Sequence, residues 1–483
     1  MAVDYDLVVI GSSWVGIYAA QKAAQLQARV ALVTSSNDLF LPNDTLTNGA
    51  ISEVGRWNYH LANHSVIKPI IKVADRVSLT AARDWSQSVT STIQHQNSLA
   101  NLAALGVDVI VGQGEFCRLP HLAFQTAHRK LRSRAFVLAT GANYVAEFVD
   151  QQDTNDYLSL RDLWQTDLTS LGQNIIIVGG DPLALELTQT LARFEKMVTL
   201  VTAQPRILPE EDLEFALLLQ AQLETEGVKL YLNSPISQLK TIDGQKWLQA
   251  GDRALTADQV IMADHRRPNI AGLNLAGVDV KYDRQRVYVN RKLQTSNPHI
   301  YACGDVIGGY SQPNIARYEA NLILKNTLWF PWYKVNYQAL PWIISTQPTF
   351  ARVGLTTQQA QKQYGADLYL VTEYFQSLER SPIADAATGM CRLLVRESGE
   401  IVGCSLIGDR AEELITAIAL MMQHQIKLER NPMKGLTSLA LPSTYLSMSE
   451  IWQRVWDNYY QQKLQRHPRL LKRLRSWFSF RKQ

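Results

Sequence analysis

What this sequence has little of narrows it first. Its four cysteines, Cys117, Cys303, Cys391 and Cys404, are scattered over 483 residues with no C-x-x-C or zinc spacing. That excludes a disulfide scaffold or a cysteine-built metal centre, and it fits a reducing, cytoplasmic compartment. No apolar run approaches the ~20 residues that cross a bilayer. A strand pattern begins at Tyr5, which leaves no room before it for a signal peptide. Acidic residues are missing from Lys463 to Gln483, where eight Lys or Arg stand. Removing those eight charges from the net +4 leaves residues 1–462 at −4. A mildly acidic body argues against a nucleic-acid surface spread over the fold. Hydrophobic residues at 46% and charged residues at 19% describe a globular chain, and this length predicts more than one core.

Two segments share one grammar: an apolar run, a glycine turn, then a helix with small residues on one face. The first is Asp6 to Ala24, D-L-V-V-I-G-S-S-W-V-G-I-Y-A-A-Q-K-A-A, followed by a strand over Arg29–Thr34. The second is Asn174 to Arg193, N-I-I-I-V-G-G-D-P-L-A-L-E-L-T-Q-T-L-A-R, followed by Val198–Thr202. Each predicts a βαβ unit of the Rossmann type. After Leu340, alternating runs at Cys391–Arg396 and Ile401–Ile407 predict antiparallel strands, and Ala411–His424 a helix. The aromatic stretch Trp329–Tyr333, W-F-P-W-Y, reads as a hinge packed against its neighbours.

In a G-x-G-x-x-G turn, the glycines permit the bend, the approach of a pyrophosphate, and tight helix–strand packing. The helix amino terminus then offers free N–H groups to the phosphates. The first loop keeps Gly11 and Gly16, with Ser13 between them as a small residue able to donate to a phosphate oxygen. A strand end, F-V-L-A-T-G-A (Phe136–Ala142), supplies Ala139, Thr140 and Gly141. A later H-I-Y-A-C-G-D-V (His299–Val306) supplies Gly304 and Asp305, with Cys303 as a small buried packing residue.

Three such motifs in this order resemble the pyridine nucleotide-disulfide oxidoreductases. The resemblance implies FAD in the first domain, with Asp305 on the ribityl chain. It also implies a helix starting near Gln312, with Ala316 in its first turns, whose positive end faces the flavin pyrimidine ring. The implied fold class is α/β: two Rossmann-type dinucleotide-binding domains plus a C-terminal α+β dimerisation domain, and hence a homodimer. The expected layout is 1–165 FAD-binding (first part), 166–265 NAD(P)-binding-like, 266–336 FAD-binding (second part), 337–460 dimerisation, and 461–483 a basic amphipathic tail.

Ala184–Phe194 and the segment P-S-T-Y-L-S-M-S-E (Pro442–Glu450) resemble the mercuric reductase branch. Where other branches carry a catalytic histidine, that branch carries tyrosine, here Tyr445, five residues before Glu450. The branch's paired C-terminal cysteines are absent. The family's redox stretch, G-x-x-C-x-x-x-x-C-x-x-x-K, aligns with Pro42–Val54. Gly49 and Ile51 keep the register, Thr45 and Ala50 occupy the cysteine positions, and Val54 occupies that of the lysine. The lysine's implied partner, Glu186, is retained. Without thiolates there is no dithiol relay and no soft metal site.

The second loop places Asp181 at the pyrophosphate approach, where a carboxylate repels a phosphate. Thr202 and Ala203 replace the ribose-binding acid and its follower, His265 replaces a glycine, and Arg206 is in reach of a phosphate. NAD(P)H binding is therefore expected to be impaired. In the first domain Thr34 replaces the acid expected on the adenosine ribose.

On a helix, Leu470, Leu471, Leu474, Trp477 and Phe478 fall within about 120° of arc, opposite Arg469, Lys472, Arg473 and Arg475. Such a tail fits an anionic membrane surface at the cytoplasmic face, or a cap on its own dimer. Three functional readings stay open. One is an FAD-dependent oxidoreductase passing electrons to or from a small acceptor or protein partner, with Tyr445, Glu450 and Glu186 as candidate catalytic groups. The others are a non-catalytic flavoprotein scaffold and an NAD(P)H diaphorase or quinone reductase.

Overall fold

Nearly every residue of Tyr5–Ile10 and Val30–Thr34 is buried, as central parallel strands covered on both faces require. A computed structural model describes residues 3–35, 44–63, 76–96, 98–145, 157–166, 168–264, 266–428 and 444–481. Pro42, His265, Pro442 and the last two residues of the tail lie outside the described residues, and so do the side chains of Thr45, Arg469, Leu470, Arg473 and Leu474. The chain divides into two units. One comprises Met1–Asn58, Asp75–Gln204 and Lys229–Val335; the other comprises Tyr59–Ala74, Pro205–Val228 and Asn336–Gln483.

The first unit holds two five-stranded sheets. One runs Ile300–Ala302, Ser133–Leu138, Tyr5–Ile10, Val30–Thr34, Asp108–Val111, all parallel. Alternation along the first strand sends Leu7 and Val9 to one face, against Ala19, Ala20, Ala23, Ala316 and Ala320 of two helices. It sends Val8 and Ile10 to the other face, against Phe116, Phe124 and Phe136. The alanines matter because a helix can lie close to a sheet only where its facing side chains are small. The second sheet runs Lys229–Tyr231, Met197–Val201, Asn174–Val178, Gln259–Met262, Leu158–Ser159, again parallel. Both expected Rossmann-type domains are present.

The other unit is the expected α+β module. Its antiparallel sheet orders Trp342–Ile344, Thr349–Gly354, Ile401–Gly408, Met390–Arg396, Leu368–Tyr374. Helices Ala411–Gln423 and Glu450–Arg466 share one core with it, including Cys391, Cys404, Trp452 and Tyr459. Burial pushes the Cys391 thiol up, and the neighbouring Cys404 thiol adds to the effect. The tail forms a helix, Pro468–Phe480, entered through His467, whose Nε2 lies 3.0 Å from Glu397 Oε1. Among the described residues, no helix is long and apolar enough to cross a membrane.

One expectation fails here. The W-F-P-W-Y stretch is not a packed hinge: Trp329, Phe330, Trp332 and Tyr333 are each half or more exposed.

Candidate functional site

The three motifs converge because their strands end together. Ile10 pairs with Val33 and Leu138, and Leu138 with Ala302. Gly11, Thr34, Ala139–Gly141 and Gly304–Asp305 therefore follow at one edge, the carboxyl end of a parallel sheet, where open α/β folds bind ligands.

Gly11 has φ +104°, and a Cβ there would lie 2.5 Å from the Ala139 carbonyl oxygen. A Cβ on Gly16 would lie 2.1 Å from the Gly11 carbonyl oxygen. Both glycines are thus demanded by the close passage of three backbone segments. Ser13 caps the helix Trp14–Gln25, and its Oγ accepts from Gly16 N–H at 3.4 Å. Its single hydroxyl proton goes to the Ala139 carbonyl at 2.6 Å. A phosphate oxygen would compete with this carbonyl for the Ser13 proton. Thr34 is buried, with Oγ1 2.5 Å from Ser12 Oγ, so it braces the loop from behind.

Beyond Ala139, the Thr140 hydroxyl is buried and has no hydrogen-bond partner among the described residues. Among the described residues, nothing lies within 4 Å of the place a Gly141 Cβ would take. Asn269 holds this turn through Nδ2–H to Thr140 O (3.1 Å) and its own N–H to Gly141 O (3.0 Å). An orphaned hydroxyl beside open space, next to a helix amino terminus, fits a dinucleotide. Asp305 accepts from Ser311 Oγ at 3.0 Å and from Arg266 Nη1 at 3.4 Å. Gly304 N–H donates to the buried Glu319 carboxylate at 2.8 Å. Gly304 (φ +71°) passes close to Val15 and Ala316, at the amino end of the helix Pro313–Leu328. Burial and the Glu319 charge push the Cys303 thiol up, so it stays an unreactive packing group.

The second loop repeats the backbone with different chemistry. Asp181 caps the helix Pro182–Arg193 without bonding its amides. Gly180 faces Thr202, whose buried Oγ1 accepts from Gln204 N–H at 3.2 Å. Arg206, in the other unit, donates from Nη2 to the carbonyls of Pro209 (2.6 Å) and Glu211 (2.9 Å). Tyr144 is paired across a short ladder with Arg266. Burial pushes its hydroxyl up; Arg266 opposes the shift, while Asp181, Asp305 and Glu186 add to it.

Sequence reasoning missed Tyr144, Ser311 and Glu319. Only Arg266 and Asn269 carried a motif signal, in the retained R-x-P-N of the turn after His265.

On the helix Asp44–Asn63, Ala50 and Val54 are buried, and no thiol stands at either position. Tyr445 is 84% exposed. Glu450 pairs with Arg454 at 2.9 Å on its own helix.

Two dinucleotide domains with an FAD-type edge and a separate α+β module define a flavoprotein oxidoreductase. The chain belongs to the pyridine nucleotide-disulphide oxidoreductase family, whose signature matches residues 5–320, with the family's dimerisation domain over 340–436. Members of this family are FAD-dependent, and the dimerisation domain supports a homodimer. The chain is 27% identical to a mercuric reductase of Staphylococcus aureus, over 92% of this chain and 81% of that one. It is 28% identical to a dihydrolipoyl dehydrogenase of Bacillus subtilis, over 87% and 92%. In fold it is similar to the HOCl-induced flavoprotein disulfide reductase RclA of Escherichia coli (TM-score 0.80, 22% identity, 95% and 99% covered). LpdA of Mycobacterium tuberculosis is likewise similar (TM-score 0.81, 20% identity, 93% and 99% covered).

Proposed function

We propose that this chain is an FAD-dependent oxidoreductase that exchanges electrons with a small acceptor directly at the flavin, without a disulfide relay. One observation carries this reading: the helix Asp44–Asn63 buries Ala50 and Val54, whose positions belong to a cysteine and a lysine in the family pattern, while Gly11, Gly16, Gly141 and Gly304 are retained at the FAD-type edge. All four cysteines are free thiols, and Cys303, Cys391 and Cys404 are buried. FAD would be held by the amides after Gly11, by Thr140 and by Asp305, with Ala316 beside Gly304. Bound there, the flavin supplies two-electron chemistry that a dehydrogenating donor and a quinone-like acceptor can share. Thr34 and Ser13 shape the loop, and Glu186, Tyr445 and Glu450 stay candidates for proton handling.

Anaerobic reductive titration tests it. The flavin should bleach fully after one two-electron equivalent, because no disulfide takes up a second pair. Uptake of two equivalents per flavin before bleaching ends would overturn the proposal. Asp181 favours weak nicotinamide binding; if neither NADH nor NADPH reduces the flavin and no quinone reoxidises it, the non-catalytic flavoprotein becomes the better reading. Rapid reduction by either nucleotide would favour the diaphorase.

For the tail, the reading is peripheral contact with an anionic membrane surface, because Trp477, Phe478 and Phe480 are exposed on a helix flanked by basic residues.

A further inference from the structure

Independently of the flavin reading and of the tail, the first unit carries a second surface of the same chemistry. The helix Pro313–Leu328 ends at Trp329, and the next four residues bring Phe330, Trp332 and Tyr333 to the surface. Exposure runs from 50% for Tyr333 to 72% for Trp332, which is far from the burial such side chains ordinarily reach.

The loop is built, and does not simply trail. Asn326, itself 3% exposed, receives Tyr333 N–H on Oδ1 at 2.9 Å and donates Nδ2–H to the carbonyls of Tyr333 (2.9 Å) and Lys292 (3.3 Å). Trp332 N–H closes onto Phe330 O at 2.8 Å, and Val335 N–H onto Arg291 O at 2.7 Å. Across Pro331 the rings of Phe330 and Trp332 stack, with centroids 4.6 Å apart and planes 13° from parallel. A buried amide thus fixes the backbone while the aromatic side chains point outward.

The rim is basic. Lys325 lies over the Tyr333 ring at 5.3 Å, Lys334 follows the loop, and Arg291 and Lys292 sit on the strand of backbone it bonds to. No Asp or Glu occurs between Ala320 and Ala366. A rigid tip of Trp, Phe and Tyr with a cationic collar suits the headgroup layer of a bilayer. There the ring bodies enter the acyl boundary, the indole N–H stays hydrated, and the collar meets anionic lipid.

We propose that Trp329–Tyr333 is an interfacial anchor that seats the FAD-binding unit on an anionic lipid surface. The full-length, flavin-loaded protein is floated with vesicles of phosphatidylcholine alone and of phosphatidylcholine with phosphatidylglycerol. The wild type floats with the second and far less with the first. The triple variant Trp329→Ser/Phe330→Ser/Trp332→Ser loses at least about tenfold in apparent affinity, with flavin absorbance and particle size unchanged. Lys325→Glu/Lys334→Glu loses the preference for the anionic vesicle. The tail variant Trp477→Ser/Phe478→Ser/Phe480→Ser keeps part of its flotation. Equal flotation of the wild type and the loop variant overturns the proposal, and so does complete loss on changing the tail alone. A vesicle-free wild-type assembly that the triple variant breaks down would also overturn it, reassigning the loop to contact between copies.

Discussion

The two glycine loops of the first unit share one backbone turn, and the side chains that cap the helices behind them differ in charge. Gly11 and Gly179 both hold positive φ, +104° and +145°, and each brings its Cα to where a Cβ would lie 2.5 Å from the carbonyl of a neighbouring strand's end, Ala139 in one case and Ala263 in the other. The capping residues match as closely: Ser13 at φ −55°, ψ 158°, and Asp181 at φ −70°, ψ 156°. A buried threonine, Thr34 or Thr202, stands behind each loop. The first cap is a neutral hydroxyl that bonds the loop to itself; the second is a carboxylate that bonds none of its helix's amides. The backbone geometry of a dinucleotide site can therefore persist where its electrostatics have changed, and only the latter decides whether a phosphate is welcome.

The largest effect should come from breaking the shared backbone. Gly11→Ala and Gly179→Ala each force a Cβ against a carbonyl at positive φ, and either should destabilise its domain by about 2–4 kcal/mol. The two should differ in colour. Gly11→Ala is expected to purify without flavin, whereas Gly179→Ala should stay yellow with a lowered melting temperature. Flavin content and thermal unfolding measured together check this. A colourless Gly179→Ala would mean that the loops are not separate sites.

Exchanging the caps sharpens the comparison without disturbing the backbone. Ser13→Asp puts a carboxylate at the first helix amino terminus and should weaken FAD binding by about a hundredfold, through repulsion of the pyrophosphate. Asp181→Ser should strengthen NADH or NADPH binding by about tenfold. The asymmetry follows from the rest of the second loop, where Thr202, buried and bonded to Gln204 N–H, stands in place of a ribose-binding acid. Equilibrium titration of flavin fluorescence and of nicotinamide binding reads both. Unchanged nucleotide affinity in Asp181→Ser would remove the charge explanation.

How much of this the sequence disclosed follows the range of each interaction. Both βαβ units were legible because strand alternation and small helix residues are local patterns. The antiparallel module showed itself by the same means in Cys391–Arg396 and Ile401–Ile407. Hidden were the contacts joining distant segments: Ser13 to Ala139, Glu319 to Gly304, and Tyr144 to the field of Asp181, Asp305 and Glu186. The Ser13 bond shows the reason: its small size and cap position were visible, but the carbonyl taking its proton lies 126 residues away. The aromatic loop was misread. A dense aromatic run ordinarily signals burial, and only the Asn326 clamp shows that this one is held outward.

The smallest expected effect tests the fit to FAD at one atom. The Thr140 hydroxyl is a buried group of the first site that no atom of the described residues satisfies, and a native structure seldom leaves one so without a ligand or water to meet it. Thr140→Val keeps the shape and removes the oxygen. If the hydroxyl meets the cofactor, the variant loses about 1 kcal/mol of FAD affinity, some fivefold, while the stability of the apoprotein is unchanged or slightly higher, because a buried unpaired dipole has gone. Thr202→Val is the matched control in the second domain. Its hydroxyl already accepts from Gln204 N–H, so that change should cost stability and leave FAD affinity alone. Opposite signs in apoprotein stability between the two variants would mark one threonine as kept for a ligand and the other as kept for the fold; equal losses would make both of them structural.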